Sequence, residues 1–541
     1  MNRVAHRVRR HGARRPTRPV TCHAARPVPV LASRLLLSLL GGLALWLAFP
    51  GYDVWWLAIV GCAALALATA GARWWAGGLA GLLLGLAWFT PMFTWAGTYA
   101  GTAPWLAMSI ASACYPAALG SVLALLQRHG AVRPVTGAAA WVLVEWARSV
   151  TPFGGFPWAR LGFSQADSPL LGAVSIVAVA GLGFLVALCG GLLAVTAQRL
   201  LQPGRTDRRR ACGVLLVAAV LVLAPTLVPR PTQGEPISVA AVQADLPEGF
   251  SRTLSAEPGT ILARYTDRTQ DLAERVTRGQ ATAPELVLWP EGATDLDPLD
   301  PRSGQDTTAR IMQAVDAIGA PVVLGGISRK GGEPAPSNMV FGYLPGQGLA
   351  DVYAKIYLAP FGEVMPMRPL MRHLSPWVDR ITDLAPGREP GVMSLPLPES
   401  GDVVLGLAIC FEVLFDPAMR DLVSGGAELL VVPTSNAWFG EGDQAAQHIA
   451  VSRVRALEYG RSVVHISNVG VSGLITPDGT VHDRTRLYTE ATLEGVLPLR
   501  TDQTLALRTG PWLVPAAALI VLVGALRTAR SVARRMPSSR P

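Results

Sequence analysis

Over its first 230 positions the chain hardly alternates between apolar and polar residues; apolar residues instead run on in long blocks. Eight blocks approach the length of a bilayer-spanning helix, ~20 mostly apolar residues. They cover about 33–49, 54–70, 75–95, 104–126, 135–150, 169–197, 212–228 and, near the C-terminus, 511–527. The third and fourth contain prolines and several are rich in Gly and Trp, as membrane helices commonly are. Between the seventh and eighth blocks, over 231–510, the pattern changes. Short β-rich runs (Ile237–Asp245, Glu285–Glu291, Pro321–Ile327, Met339–Leu344, Val403–Cys410, Leu429–Ser435, Val463–Val469) alternate with stretches of helical period at 254–278, 306–318 and 443–460. Such alternation predicts an α/β domain with buried sheets. The Pro- and Met-rich segment 361–400 reads as loop.

Composition agrees: half of the residues are hydrophobic and 16% are charged, a balance that does not suit a soluble globular protein. The net charge of +9 changes the picture only through its placement. Arginines crowd a tail at 1–32, a loop with Arg205, Arg208, Arg209 and Arg210, and the C-terminal stretch from Arg527 to Arg535. Basic clusters beside apolar spans set membrane orientation, and without an aromatic-interleaved basic face they argue against a nucleic-acid partner. With the tail inside, Arg73, Arg128, Arg133 and Arg199–Arg210 all fall on the inner side, and 231–510 lies outside after seven crossings. The first block does not read as a signal peptide, because its basic leader is too long and no small-x-small site follows Leu47. The expected domains are a tail (1–32), seven membrane helices (33–230), an extracytoplasmic catalytic domain (231–510), and a last helix with a basic cytoplasmic end (511–541).

Three strand ends carry reactive groups. Glu285-Leu-Val-Leu-Trp-Pro-Glu291 presents a carboxylate, Val404-Leu-Gly-Leu-Ala-Ile-Cys410 a thiol, and Tyr353-Ala-Lys355 an ammonium before Pro360-Phe-Gly-Glu363. Functional groups collect at strand ends in α/β sheets. A thiol attacks only as thiolate and needs a base and a positive neighbour. Glu291 suits the base if apolar surroundings raise its pKa. Lys355 suits the charge beside the sulfur and the oxyanion, held by Glu363, with the Phe411 amide as a second oxyanion donor. Each taken alone has a plainer explanation: Cys410 a small buried hydrophobe, Glu291 a helix N-terminal carboxylate, Lys355 a surface charge. Their joint occurrence favours a site. The chain has two lysines, Lys330 and Lys355; where Arg is so preferred, a Lys hints at a compact charge with a movable proton. Lys330, in a Gly-rich loop, reads as a solvated charge. The other five of the six cysteines lie in the tail or in apolar blocks.

The set Trp-Pro-Glu291, Tyr-Ala-Lys355 with Pro-Phe-Gly-Glu363, and Cys410-Phe411-Glu412 resembles the Glu-Lys-Cys signature of the nitrilase superfamily. Glu145-Trp-Ala-Arg148, Gly155-Phe-Pro-Trp158, Leu161-Gly-Phe-Ser-Gln165, Ala437-Trp-Phe-Gly440, Gln447-His448 and Arg453 to Glu458 through Arg461 extend the likeness to the apolipoprotein N-acyltransferase family, over about residues 33–527. Where that family commonly has Asn-Asp before Ala-Trp-Phe-Gly, this chain has Ser435-Asn436; near Phe250 it lacks a Trp; and Phe411 stands where some members have Tyr. The resemblance implies a nitrilase-like α/β sandwich inserted before the last helix of an eight-helix transmembrane bundle in a bacterial cytoplasmic membrane. It also implies a two-step acyl transfer on Cys410. The donor would be a membrane phospholipid, and the acceptor the α-amine of an S-diacylglyceryl-cysteine lipoprotein.

Met365, Met367, Leu370, Met371, Leu374 and Trp377 form an apolar stretch, read as an ordinary packed loop or as a lipid-contacting lid; Trp438 joins Met365 and Met367 as a substrate-binding candidate. Glu145, in an apolar block, is a functional candidate or half of an ion pair with Arg148. His448 reads as structural. No metal-ligand spacing and no nucleotide motif occurs, so no metal and no cofactor is expected. Two other functions are weighed: a membrane-tethered amidase for a small soluble substrate, which needs no such bundle, and a transporter or receptor, which calls for ionisable residues along the spans.

Overall fold

The structure is a computed structural model that describes residues 28–202, 204–244, 246, 257–329, 334–373, 378–379, 381–437 and 439–533. The Arg-rich tail before residue 28, Phe250, Lys330, Leu374 to Trp377, and Trp438 lie outside the described residues.

The apolar blocks form helices α1 (Val28–Leu47), α2 (Leu57–Thr69), α3 (Trp74–Met92), α4 (Thr102–Leu126), α5 (Pro134–Val150), α6 (Val174–Leu200), α7 (Arg205–Leu223) and, at the far end of the chain, α12 (Leu505–Ala533). Among the described residues, six helical stretches are long and apolar enough to cross a membrane; α2, with 13 residues, and α5, with 17, fall short of that length. Glycines set the closest packing. A Cβ on Gly77, Gly81 or Gly85 of α3 would collide with Gly120, Pro116 or Ala113 of α4, so small residues four apart let the two backbones touch. The helix starts differ most from expectation at two places. α7 starts inside the Arg cluster, at Arg205 rather than near 212, and the last helix starts at Leu505 rather than 511.

Residues 235–499 build two six-stranded sheets. One has the order β12-β1-β2-β3-β4-β5, from β1 (Glu235–Gln243), β2 (Leu286–Leu288), β3 (Val322–Ser328), β4 (Ser337–Leu344), β5 (Gly348–Ala354) and β12 (Ala491–Leu499). The other has the order β11-β10-β9-β8-β7-β6, from β6 (Val392–Leu397), β7 (Gly401–Leu407), β8 (Leu429–Thr434), β9 (Ser462–Ser467), β10 (Gly473–Ile475) and β11 (Val481–His482). The pairs β1/β2, β2/β3, β7/β8 and β8/β9 are parallel. Parallel neighbours need crossovers, supplied here by α8 (Thr260–Thr277), α9 (Gly304–Ile318), α10 (Asp416–Ser424) and α11 (Gln444–Tyr459). The segment 361–400 is therefore not all loop: it contains the edge strand β6, paired with β7.

Strand period 2 sorts the side chains. Ile237, Val239 and Ala241 of β1 join Leu405, Leu407, Val431 and Val464 between the sheets, while Ala240 and Val242 pack outward with Leu262 of α8 and Ile311 of α9. Across the second sheet the outer layer is shared. Leu430, Val432 and Val463 belong to one continuous core with Ile449 and Val454 of α11 and with Trp88, Trp141, Leu161 and Val186 of the helical part. The sandwich is thus seated on the bundle through α11. Loops 48–56, 93–101 and 151–168 lie on that side, and those near 71 and 129 lie on the other, where His129 and Arg133 meet Ser531 and Thr528 of α12.

Candidate active site

β2, β5, β7 and β8 end on one edge of the sandwich, and the chemistry collects there. Glu291 follows β2, Lys355 follows β5, Cys410 follows β7, and Thr434 ends β8.

Lys355 is 1% exposed, with Nζ 2.8 Å from Glu363 Oε2 and 3.9 Å from Glu291 Oε1. Asn338, the second residue of β4, ties the two carboxylates together: its Nδ2 donates to Glu291 Oε1 at 2.6 Å and to Glu363 Oε1 at 2.8 Å. The Ala359 amide donates to Glu363 Oε2 at 2.7 Å. The electrostatics follow from this layout. Burial pushes Glu291 above the usual carboxylate range, aided by the negative charge of Glu363 and opposed by Lys355, Asn338 and Cys410. Burial acts the same way on Glu363, but its direct ion pair with Lys355 and its amide donors outweigh it and hold Glu363 low. Burial opposes the Lys355 charge, yet Glu363 and Glu291 more than offset that and raise its pKa, so it remains an ammonium.

Cys410 is half-buried and has φ +54°, in the left-handed region. A non-glycine residue there is strained by roughly 1–2 kcal/mol, and such strain gathers at functional sites. Two contacts hold it. His448 Nε2 lies 3.0 Å from the Cys410 carbonyl oxygen, and the Ile409 amide donates to Glu412 Oε2 at 2.9 Å. Glu412, 1% exposed, also accepts from the Ile356 and Tyr357 amides and from the Tyr353 hydroxyl, at 2.8 to 3.0 Å. It thereby fastens the segment after Lys355 to the turn that carries the thiol. Burial raises the Cys410 thiol to about 12, with the Glu291 charge adding to the rise and Lys355 and the Thr434 hydroxyl opposing it. At rest the sulfur is therefore protonated, beside a carboxylate whose proton affinity has also been raised.

The remaining candidates are spread differently. Phe411 is buried and stacks on Phe156 of the helical part at 5.8 Å between centroids. Met365 is buried and its amide donates to Asp383, whereas Met367 is 50% exposed with φ +47°. Exposed Phe361 meets exposed Phe153 edge-on at 5.9 Å, joining the apolar loop to the 151–168 loop. Glu145 and Arg148 are not an ion pair. Glu145 accepts from the Leu161 amide at 2.7 Å, and Arg148 donates to the Phe156 and Ala159 carbonyls, so both clamp the loop carrying Phe156 and Trp158. Asn436 is satisfied by Gln444 and Ser467 and takes no part in the charge cluster. Asn338 and Thr434 carry no motif: an Asn at a strand start and a Thr at a strand end are ordinary there, and only the fold brings them to the site. Among the described residues no three His, Cys, Asp or Glu side chains gather as a metal ion would need.

Residues 41–192 match the apolipoprotein N-acyltransferase N-terminal domain and residues 238–503 match the carbon-nitrogen hydrolase domain. An apolipoprotein N-acyltransferase of Mycolicibacterium smegmatis (strain ATCC 700084 / mc(2)155) is 35% identical over 92% of this chain and 86% of its own. One from Shewanella oneidensis is 27% identical over 92% and 96%. Among solved structures, an amidase from Nesterenkonia sp. is similar over 51% of this chain and 94% of its own, at 18% identity and a TM-score of 0.37.

Proposed function

The chain belongs to the apolipoprotein N-acyltransferase family, within the nitrilase superfamily, and from that premise we propose how its own residues carry out lipoprotein N-acylation. Glu291 takes the proton of Cys410 as the sulfur attacks the acyl ester of a membrane phospholipid. Lys355 and the Phe411 amide hold the oxyanion, Glu291 passes its proton to the departing lysophospholipid oxygen, and a thioester remains on Cys410. The α-amine of an S-diacylglyceryl-cysteine lipoprotein then attacks the thioester, giving its proton to Glu291; the thiolate is expelled and takes that proton back, which restores the resting site. The observation that carries this reading is the cluster at the sheet edge. A carboxylate whose pKa is raised stands beside an ammonium fixed by a second carboxylate, next to a strained cysteine. A carboxylate base with its pKa raised above the ordinary range and an ammonium that stays charged are what the two half-reactions need.

The seating of the sandwich on apolar helices supports lipid substrates over a small soluble amide. Exposed Phe153, Phe361, Met367 and Leu370 offer an apolar rim by which acyl chains reach the sulfur, and a lipid-filled entrance suppresses hydrolysis of the thioester. In this reading all eight helices cross the bilayer, the shorter α2 and α5 within the shelter of their neighbours. The sandwich faces the extracytoplasmic side, both termini are cytoplasmic, and the inner loops carry Arg73, Arg128, Arg133 and Arg199–Arg210. N-acylation of a diacylated lipopeptide by the purified chain in phospholipid micelles tests the assignment. Alanine at Glu291, Lys355 or Cys410 each abolishes product, and an active Cys410→Ala chain would overturn it.

A further inference from the structure

Thr434 is fully buried, and its hydroxyl oxygen lies 3.1 Å from Cys410 Sγ and 3.3 Å from Nδ1 of His448. The orientation of that histidine is decided by its other nitrogen. Nε2 faces the Cys410 carbonyl oxygen, which can only accept, so Nε2 carries the ring proton. Burial, with help from Lys355, brings His448 down to about 4 against its bond to the Cys410 carbonyl, so the ring is neutral and Nδ1 is a bare acceptor. The Thr434 hydroxyl thus has one proton and two acceptors. His448 alone would satisfy a merely structural threonine; the sulfur is an additional partner.

We propose that Thr434 is a catalytic hydrogen-bond donor that turns its proton from His448 Nδ1 to the Cys410 sulfur whenever that sulfur is anionic, with His448 as the positioning residue that holds the rotor ready. This rests on the reading of Cys410 as nucleophile. The hydroxyl keeps its proton throughout, and Glu291 remains the group that takes the thiol proton and later the amine proton. In the first half-reaction the bond stabilises the thiolate before attack. In the thioester the sulfur is a poor acceptor and the proton returns to Nδ1. In the second half-reaction the tetrahedral adduct expels the sulfur as thiolate, and the donor meets it again. The charged groups around the sulfur are Glu291, Lys355 and Glu363; none of them can swing a neutral donor in this way.

The test is carbamidomethylation of full-length enzyme in detergent by iodoacetamide across a pH series, read by mass spectrometry on the peptide carrying Cys410. The rate of thioester formation from phospholipid is measured alongside. Thr434→Val, and Thr434→Ala in case the valine chain does not accumulate, should move the alkylation midpoint up by about one to two pH units and slow acylation about tenfold or more. Thr434→Ser, which keeps the hydroxyl, should restore most of both. A wild-type midpoint in the Val or Ala chain, or a Ser chain shifted as far as Val, overturns the proposal, the latter by showing that packing of the methyl group is what counts. Alkylation needs no acyl donor, so the two layers separate. A wild type that never carries an acyl group defeats the nucleophile reading beneath it, whereas an unmoved midpoint defeats the part given to Thr434 alone.

Discussion

At the scale of single residues the proposed site sets a buried thiol beside a buried carboxylate, each with its proton affinity raised. Burial raises the Cys410 thiol to about 12 and raises Glu291 as well, so the sulfur rests protonated beside a carboxylate better able to take its proton than an exposed one would be. As the proposed base, Glu291 acts only when ionised, so activity should fall as pH drops through its pKa. Because that pKa is raised, the acidic limb of kcat/KM should lie above the ordinary carboxylate range. Asn338→Ala removes a donor to the charged form, raises Glu291 further, and should shift the limb up by about one unit; a pH–rate profile with the wild-type limb would contradict this. Lys355→Arg tests the choice of lysine. A planar guanidinium does not fit a 1%-exposed slot built around one ammonium, and thioester formation should slow about 100-fold or more in single-turnover kinetics. The candidates Glu291, Lys355 and Cys410 were legible in the sequence because each follows a strand within a recognisable run, and Glu363 because it closes the Pro-Phe-Gly-Glu run after Lys355. Asn338 and Thr434 were not, since their significance lies in which side chains face them across two sheets, and no local pattern encodes that.

Among the elements, the break in α6 explains how sandwich and bundle are joined. Ala178 has φ +53° and ψ 178° inside the helix, which frees backbone groups on either side. The Val179 amide is taken by Glu458 Oε1 of α11 at 2.9 Å, and the Ile176 carbonyl accepts from Thr509 of α12 at 2.6 Å. A broken apolar helix is tolerated where neighbours satisfy the freed groups, and here one of them comes from the sandwich. Glu458 also pairs with Arg455 at 2.5 Å, both 1% exposed or less, and Arg455 shares Asp416 with Arg160 of the 151–168 loop. Glu458→Ala leaves Arg455 buried with one anion fewer and the Val179 amide unpaired. The expected cost is about 3–5 kcal/mol, visible as melting several degrees lower in detergent; unchanged melting would argue that the joint does not hold α6. The sequence pattern located α9 and α11 to within two residues because their helical period is clear, and α8 to within six at its start. It missed β6, whose Val392–Leu397 run is interrupted by Pro396, the short β10 and β11, and β12; it also missed the break at Ala178, because a bend in a uniformly apolar run leaves no polar signature.

The whole molecule is a catalytic sandwich standing on an apolar helical base, and its orientation should be readable by chemistry. With Cys22, Cys114 and Cys212 replaced by serine, Gln347→Cys in the exposed β4–β5 turn should react with a membrane-impermeant maleimide in intact cells. Gln202→Cys, beyond the end of α6, should react only after the membrane is opened; the reverse pattern would invert the topology. Blocks of hydropathy made the two-part layout legible, and the two short helices α2 and α5 lie close to the blocks at 54–70 and 135–150. In the proposed reading, function at this scale depends on a lipid acyl chain leaving the bilayer and becoming bonded to one sulfur. That step is read most directly by intact-protein mass spectrometry of purified enzyme held in a phospholipid of known chains, with no acceptor present. The wild type should gain the mass of one acyl group, lose it on treatment with hydroxylamine, and show no gain when Cys410 is alanine. An unacylated wild type, or an acyl mass that persists in Cys410→Ala, would contradict a thioester on Cys410.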